Sequence, residues 1–140
     1  MDTNVEICQR ALDAFNRGGM EDALQYIADE VEVYDPDLPP GSYRGHQAIL
    51  RIMRELMSGF RDIQVLEFRT VPAGDRVVGL ARTLRTGEKS DLQVEMSTAH
   101  TLTFRNGKIV YWRLYLDQQE ALADAGLDTS LALAGSDPGS

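Results

Sequence analysis

The period of the hydrophobic pattern changes partway along the chain, and that change limits the folds open to it. Up to Phe60 apolar residues return every three or four positions, as on one side of a helix. Beyond it they alternate, as on one side of a strand. Strand-like runs cover 63–71, 76–85, 92–104 and 108–116, separated by Pro72-Ala73-Gly74-Asp75, Thr86-Gly87-Glu88-Lys89-Ser90 and Asn106-Gly107. The last pair is the strongest hairpin signature of the three, because both central residues of a type I′ turn need positive φ. Four long strands joined by tight turns form an antiparallel meander.

The first half reads as helices. Thr3 and Glu6 make a capping box, and Val5, Cys8, Ala11/Leu12 and Phe15 recur until Gly18-Gly19 stops them, which predicts a helix over 4–17. Glu21 and Asp22 favour the start of a short second helix with Ala23, Leu24 and Ile27 on its buried side. Residues 31–35 alternate as a short strand that Pro36 ends. The stretch 35–45 holds three prolines and two glycines and reads as an irregular loop, fit to line a pocket mouth. From His46, the spacing of Ile49, Ile52/Met53, Leu56/Met57 and Phe60 predicts a third helix, and 118–125 a short closing one.

No βαβ repeat is present, so the chain belongs to the α+β class. Strands of this length coil, and the predicted architecture is a half-barrel: three N-terminal helices on a curved, mostly antiparallel sheet, with a mostly apolar gap between them. One domain is expected over residues 1–127, with 128–140 as a disordered tail of small residues.

Composition narrows the function classes. The net charge of −8 is spread along the chain, which excludes nucleic acid as an expected partner, since phosphate binding needs clustered Lys and Arg. No apolar run approaches the ~20 residues that span a bilayer, and the first residues lack a basic and apolar leader. The expected setting is therefore cytoplasmic, away from membranes. Cys8, the sole cysteine, falls on an apolar helix face and reads as a buried, inert thiol. The only histidines, His46 and His100, bring no further ligands at metal-site spacing, and no phosphate loop, nucleophile elbow or dinucleotide fingerprint is present. Neither metal nor cofactor is expected, and any chemistry falls to side chains alone.

Asp35 leaves a strand beside the loop, either as an acid/base near apolar walls or as a turn former before Pro36. Arg113, Tyr115 and Asp117 share one strand face by parity, and Trp112, Leu114 and Leu116 the other. If the polar face looks into the gap, Asp117 is an acid/base with Tyr115 and Arg113 as partners; if it looks out, Asp117 caps the closing helix. His100 is either a buried, hydrogen-bonded ring or a proton-transfer group. Glu95, Ser97, Ala99 and Thr101 form a small, mildly polar stripe that suits a ligand wall or a sheet-to-sheet contact. Tyr34 and Tyr43 flank the loop, and Phe15, Ile49, Met53, Leu56, Met57 and Trp112 are candidates for the apolar wall, or simply for core.

The order of elements, with Ala14-Phe15-Asn16-Arg17-Gly18, Val33-Tyr34-Asp35-Pro36, Tyr43-Arg44-Gly45 and Asp117-Gln118-Gln119-Glu120-Ala121-Leu122, resembles the SnoaL-like branch of the nuclear transport factor 2 superfamily over residues 4–127. The resemblance implies a cone-shaped α+β barrel, a small apolar or amphiphilic molecule as ligand and, commonly, a homodimer formed through the sheet. It sets Asp35 where ketosteroid isomerases keep their base and Asp117 where polyketide cyclases keep an acid/base aspartate. It also sets Ala11 and Ala99 where the isomerases keep their oxyanion donors, which disfavours a steroid isomerase of the known type. The reading that results is a cofactor-free cyclase or isomerase acting on a carbonyl compound. The alternatives are a non-catalytic binding or dimerisation module, and an epoxide hydrolase or dehydratase in which Arg82 or Arg113 reaches one of the two aspartates.

Overall fold

In the computed structural model, which describes residues 3–36 and 42–133, the change of period at Phe60 marks the passage from the last long helix into the first long strand. Helix α1 (Asn4–Gly18) starts where expected: Thr3 caps it by accepting from the Glu6 amide at 3.1 Å, and Gly19, at φ 79°, ends it. A short α2 (Met20–Ala23) and a 3₁₀ turn (Leu24–Tyr26) lead into β1 (Ile27–Tyr34). The predicted irregular loop carries one regular piece, β2 (Ser42–Arg44), which pairs antiparallel with β1. Helix α3 (His46–Met57) follows, and then β3 (Phe60–Ala73), β4 (Arg76–Gly87), β5 (Gln93–Arg105) and β6 (Lys108–Tyr115). Asn106 and Gly107 turn the last hairpin at φ 53° and 79°, as a type I′ turn requires.

The six strands form one curved, unclosed sheet in the order β2-β1-β6-β5-β4-β3. All neighbours are antiparallel except β1 and β6, which run parallel with Val33 opposite Trp112 and Tyr34 opposite Arg113. Alternation then sorts the side chains. Val31, Val33, Val77, Leu102, Phe104 and Ile109 point to the inner face, where they pack with Ile7 and Cys8 of α1 and Ile49 and Ile52 of α3. Val78, Leu80, Ala99 and Tyr115 point outward and form a second core with Ala121, Leu122 and Leu133.

That second core comes from the C-terminal end. Helix α4 (Gln118–Asp124) and a 3₁₀ turn (Thr129–Leu131) lie over the outer face. Gln118 fastens them: its side-chain amide donates to the carbonyls of Ala81 and Thr98, and its Oε1 accepts from the Leu133 amide at 2.8 Å. Residues 128–133, expected to be part of a disordered tail, are instead packed in place, because Leu131 and Leu133 have apolar surface to bury. Residues 134–140 lie outside the described residues. Among the described residues no helix is long and apolar enough to cross a membrane.

Candidate functional site

The side-chain parity of β6 decides the first question that the sequence left open. Trp112 packs against the inner core, so Arg113 and Tyr115 face outward. Asp117 accepts from the amides of Gln119 and Glu120, at 2.9 and 3.4 Å, and is the N-cap of α4, exposed to solvent. Arg113 lies between the rings of Tyr34 and Tyr115, 4.8 Å from each centroid. Burial and a 2.8 Å bond donated to Asp124 push the Tyr115 hydroxyl up to about 12, so it stays protonated. Arg82 also faces outward and is held by Glu67 and Glu95 on either side. Arg82, Glu95, Arg113 and Tyr115 belong to the outer face and Asp117 to the helix that covers it, whereas Asp35 belongs to the inner face.

The polar inner residues cluster toward one end of the sheet. His100 of β5 stands on the inner face opposite Gly79 of β4 and Leu114 of β6. The Trp112 indole N–H donates to His100 Nδ1 at 3.0 Å, with the rings tilted 56° and their centroids 5.7 Å apart. An indole nitrogen can only donate, so Nδ1 carries no proton and the ring is neutral with its hydrogen on Nε2. Enclosure by protein, helped by the positive charge of Arg85, drives the imidazole down to about 4.

Arg85 shares this face from β4. Its Nε donates to Thr83 Oγ1 at 3.4 Å, its guanidinium rests 5.6 Å from the Phe60 ring centroid, and burial lowers its pKa. Phe68 lies against Gly79, where an added Cβ would come within 2.8 Å of its ring, and so walls the inner face beside His100. Thr98 completes this end.

Asp35 follows the alternation of Val31 and Val33 onto the same face and is 1% exposed. It stands one residue beyond the Tyr34–Arg113 pair, which brings it level with Leu114 and hence with His100. Two strand spacings, about 10 Å, separate the two positions. Of the residues singled out from sequence, the inner face thus gathers Asp35, His100, Trp112, Tyr43, which pairs with Val33, and Met53. Phe15 is half-buried on α1, and Met57 is exposed at the end of α3. Cys8 is buried, and burial pushes its thiol up to about 11. Ala99 points into the outer core under α4, so no residue there could serve the inner face; its neighbour His100 occupies the inward position.

Arg85, Thr83, Thr98 and Phe68 were not anticipated. Alternation from Val77 through Gly79 and Ala81 would have placed Thr83 and Arg85 inward once Val77 was known to be core. Among the described residues no cluster of metal-ligating side chains forms.

Comparison with known proteins matches residues 8–112 to the model of the SnoaL-like domain. A nuclear transport factor 2-like protein from Burkholderia pseudomallei superposes with a TM-score of 0.73 at 21% identity, covering 88% of this chain and 97% of that one. One from Burkholderia xenovorans gives 0.67 at 27% identity, with 87% and 94% covered. TerC, co-crystallised with polyporic acid, gives 0.71 at 20% identity, with 87% and 96% covered. A comparison with curated protein sequences finds no match.

Proposed function

The chain belongs to the SnoaL-like domain family, and from that premise we propose an enzyme of the polyketide-cyclase or isomerase type that moves a proton on an apolar, carbonyl-containing molecule. The observation that carries this reading is a buried carboxylate, Asp35, level with a neutral imidazole, His100, on the helix-covered face of the sheet. TerC, with its polyporic acid, supports a small organic ligand for this fold.

In this reading a ring-sized substrate lies over Leu114, between the two groups. The Asp35 carboxylate takes a proton from the carbon next to the carbonyl, and the electron pair moves onto the oxygen as an enolate. The His100 Nε2–H, already a donor, hydrogen-bonds that oxygen, and Arg85 adds positive charge to the same end of the face. Asp35, now a carboxylic acid, returns the proton at a second carbon or at the oxygen. Preorganised donors of this kind commonly supply several kcal/mol of barrier reduction, because they need no reorganisation as the charge develops. The site needs no residue at Ala11 or Ala99 for this, since His100 replaces the missing donor.

The test uses apolar cyclic ketones and β-diketones in heavy water, with deuterium uptake at the α-carbon followed by NMR. The wild type should accelerate uptake for at least one of them. Asp35→Asn should lose about 100-fold or more of that rate, and His100→Gln about 10- to 100-fold. Ligand-dependent melting without any uptake, or rates unchanged in both variants, would sink the reading and leave a binding module.

A further inference from the structure

A neutral histidine has two tautomers, and they present opposite chemistry. With its proton on Nδ1 the ring offers Nε2 as an acceptor or base; with its proton on Nε2 it offers a donor there. Which one a protein holds is set by the partner of the other nitrogen. In this chain that partner is Trp112, the diagonal neighbour on the adjacent strand, since Leu102 opposite Trp112 and His100 opposite Leu114 are successive inward pairs of the same ladder.

From this arrangement we propose that Trp112 is a positioning residue: its indole N–H fixes His100 as the neutral Nε2–H donor, so that the inner face selects an acceptor oxygen and not a donor group. The proposal rests on the reading of the inner face as the substrate side, but it concerns the free protein and can be tested apart from any reaction. Three further features agree with it. The Trp112 ring packs in the inner core beside Val33, its opposite number in β1, and is therefore held at a fixed angle to the imidazole. No other hydrogen bond to His100 forms among the described residues, which leaves Nε2 for a ligand. Arg85 and the enclosure of the ring oppose an imidazolium, the one state in which both nitrogens would donate.

The sequence makes the experiment direct. Trp112 is the only tryptophan, so its indole N–H gives a single resonance, and with two histidines a His46→Gln variant assigns the His100 signals. In ¹⁵N-labelled wild-type protein without ligand, at neutral pH, His100 should show a protonated Nε2 and an unprotonated, hydrogen-bonded Nδ1. The indole proton should be shifted downfield and protected from exchange with water. In Trp112→Phe, which keeps an aromatic ring and removes only the donor, the Nδ1 resonance should move toward that of a free acceptor and the Nδ1–H form should gain population. A wild-type His100 protonated on Nδ1, or an indole proton at the position of an exposed tryptophan, overturns the proposal even if the variant does not fold. So does an Nδ1 resonance that fails to move in a folded Trp112→Phe. Because no substrate is present, these outcomes are independent of whether Asp35→Asn loses activity.

Discussion

The two faces of the sheet are built from alternate residues of the same strands, yet they handle polar groups differently. On the outer face Arg82 is held by Glu67 and Glu95, Tyr115 is bound to Asp124, and Arg113 is stacked between two tyrosines. On the inner face His100 commits one nitrogen to Trp112 and keeps the other, while Asp35 is buried. Polar groups that close on each other add to stability or to nothing measurable. A group that keeps a polar atom for a ligand, as His100 keeps Nε2, carries the hydrogen-bonding capacity that chemistry needs. Even the outer face is incomplete in this respect: Thr101 Oγ1 and Arg113 Nε are buried without a hydrogen-bond partner among the described residues.

The contrast can be broken in three ways. Truncating Leu122→Ala opens a cavity in the outer core, where this side chain is 0% exposed, and should cost about 4 kcal/mol in denaturant unfolding. The loss should leave the indole and His100 resonances of the folded state in place; a rearranged imidazole signal would mean that the two faces are coupled through the sheet.

The second test concerns pH. Below the ordinary imidazole value of 6.5 the unfolded chain binds a proton at His100 that the folded ring refuses until about 4. Stability is therefore complete above 6.5 and falls as pH drops from there to about 4, by something on the order of 3 kcal/mol. His100→Gln should lack this part of the decline. Stability curves for the two proteins that run parallel through that window would show that the ring is not enclosed as described.

The smallest effect belongs to Arg82. Its ion pairs with Glu67 and Glu95 are only partly shielded from solvent, so Arg82→Gln should cost little stability, and that little should shrink further in high salt. A large loss would make the outer face electrostatically important and blur the contrast with the inner one.

The elements themselves were legible because each is announced locally. The Thr3 cap, the Asn106-Gly107 turn and the switch of period at Phe60 all act within a few residues, and the helices and strands follow them closely. The packed end of the chain was not legible. Leu131 and Leu133 look like tail residues until the outer core that receives them exists, and the Gln118 hydrogen bonds that hold them reach back to Ala81 and Thr98. The candidate site was legible in part. Parity put Arg113 and Tyr115 on one face, with Asp117 beyond the strand's end as the cap of α4, yet parity gives two faces without saying which is covered by helices.

That division runs through the whole protein. Sequence alone determined the α+β class, the order of the helices and long strands, the alternation of side chains along those strands between bulges, and Asp35 and His100 as groups to watch. Only the tertiary structure decided which set faces α1 and α3, and with it the roles of Asp117, Arg82, Arg113 and Trp112. The physical reason is that alternation is a property of a single strand, whereas inside and outside exist only once a sheet curves and something packs against it.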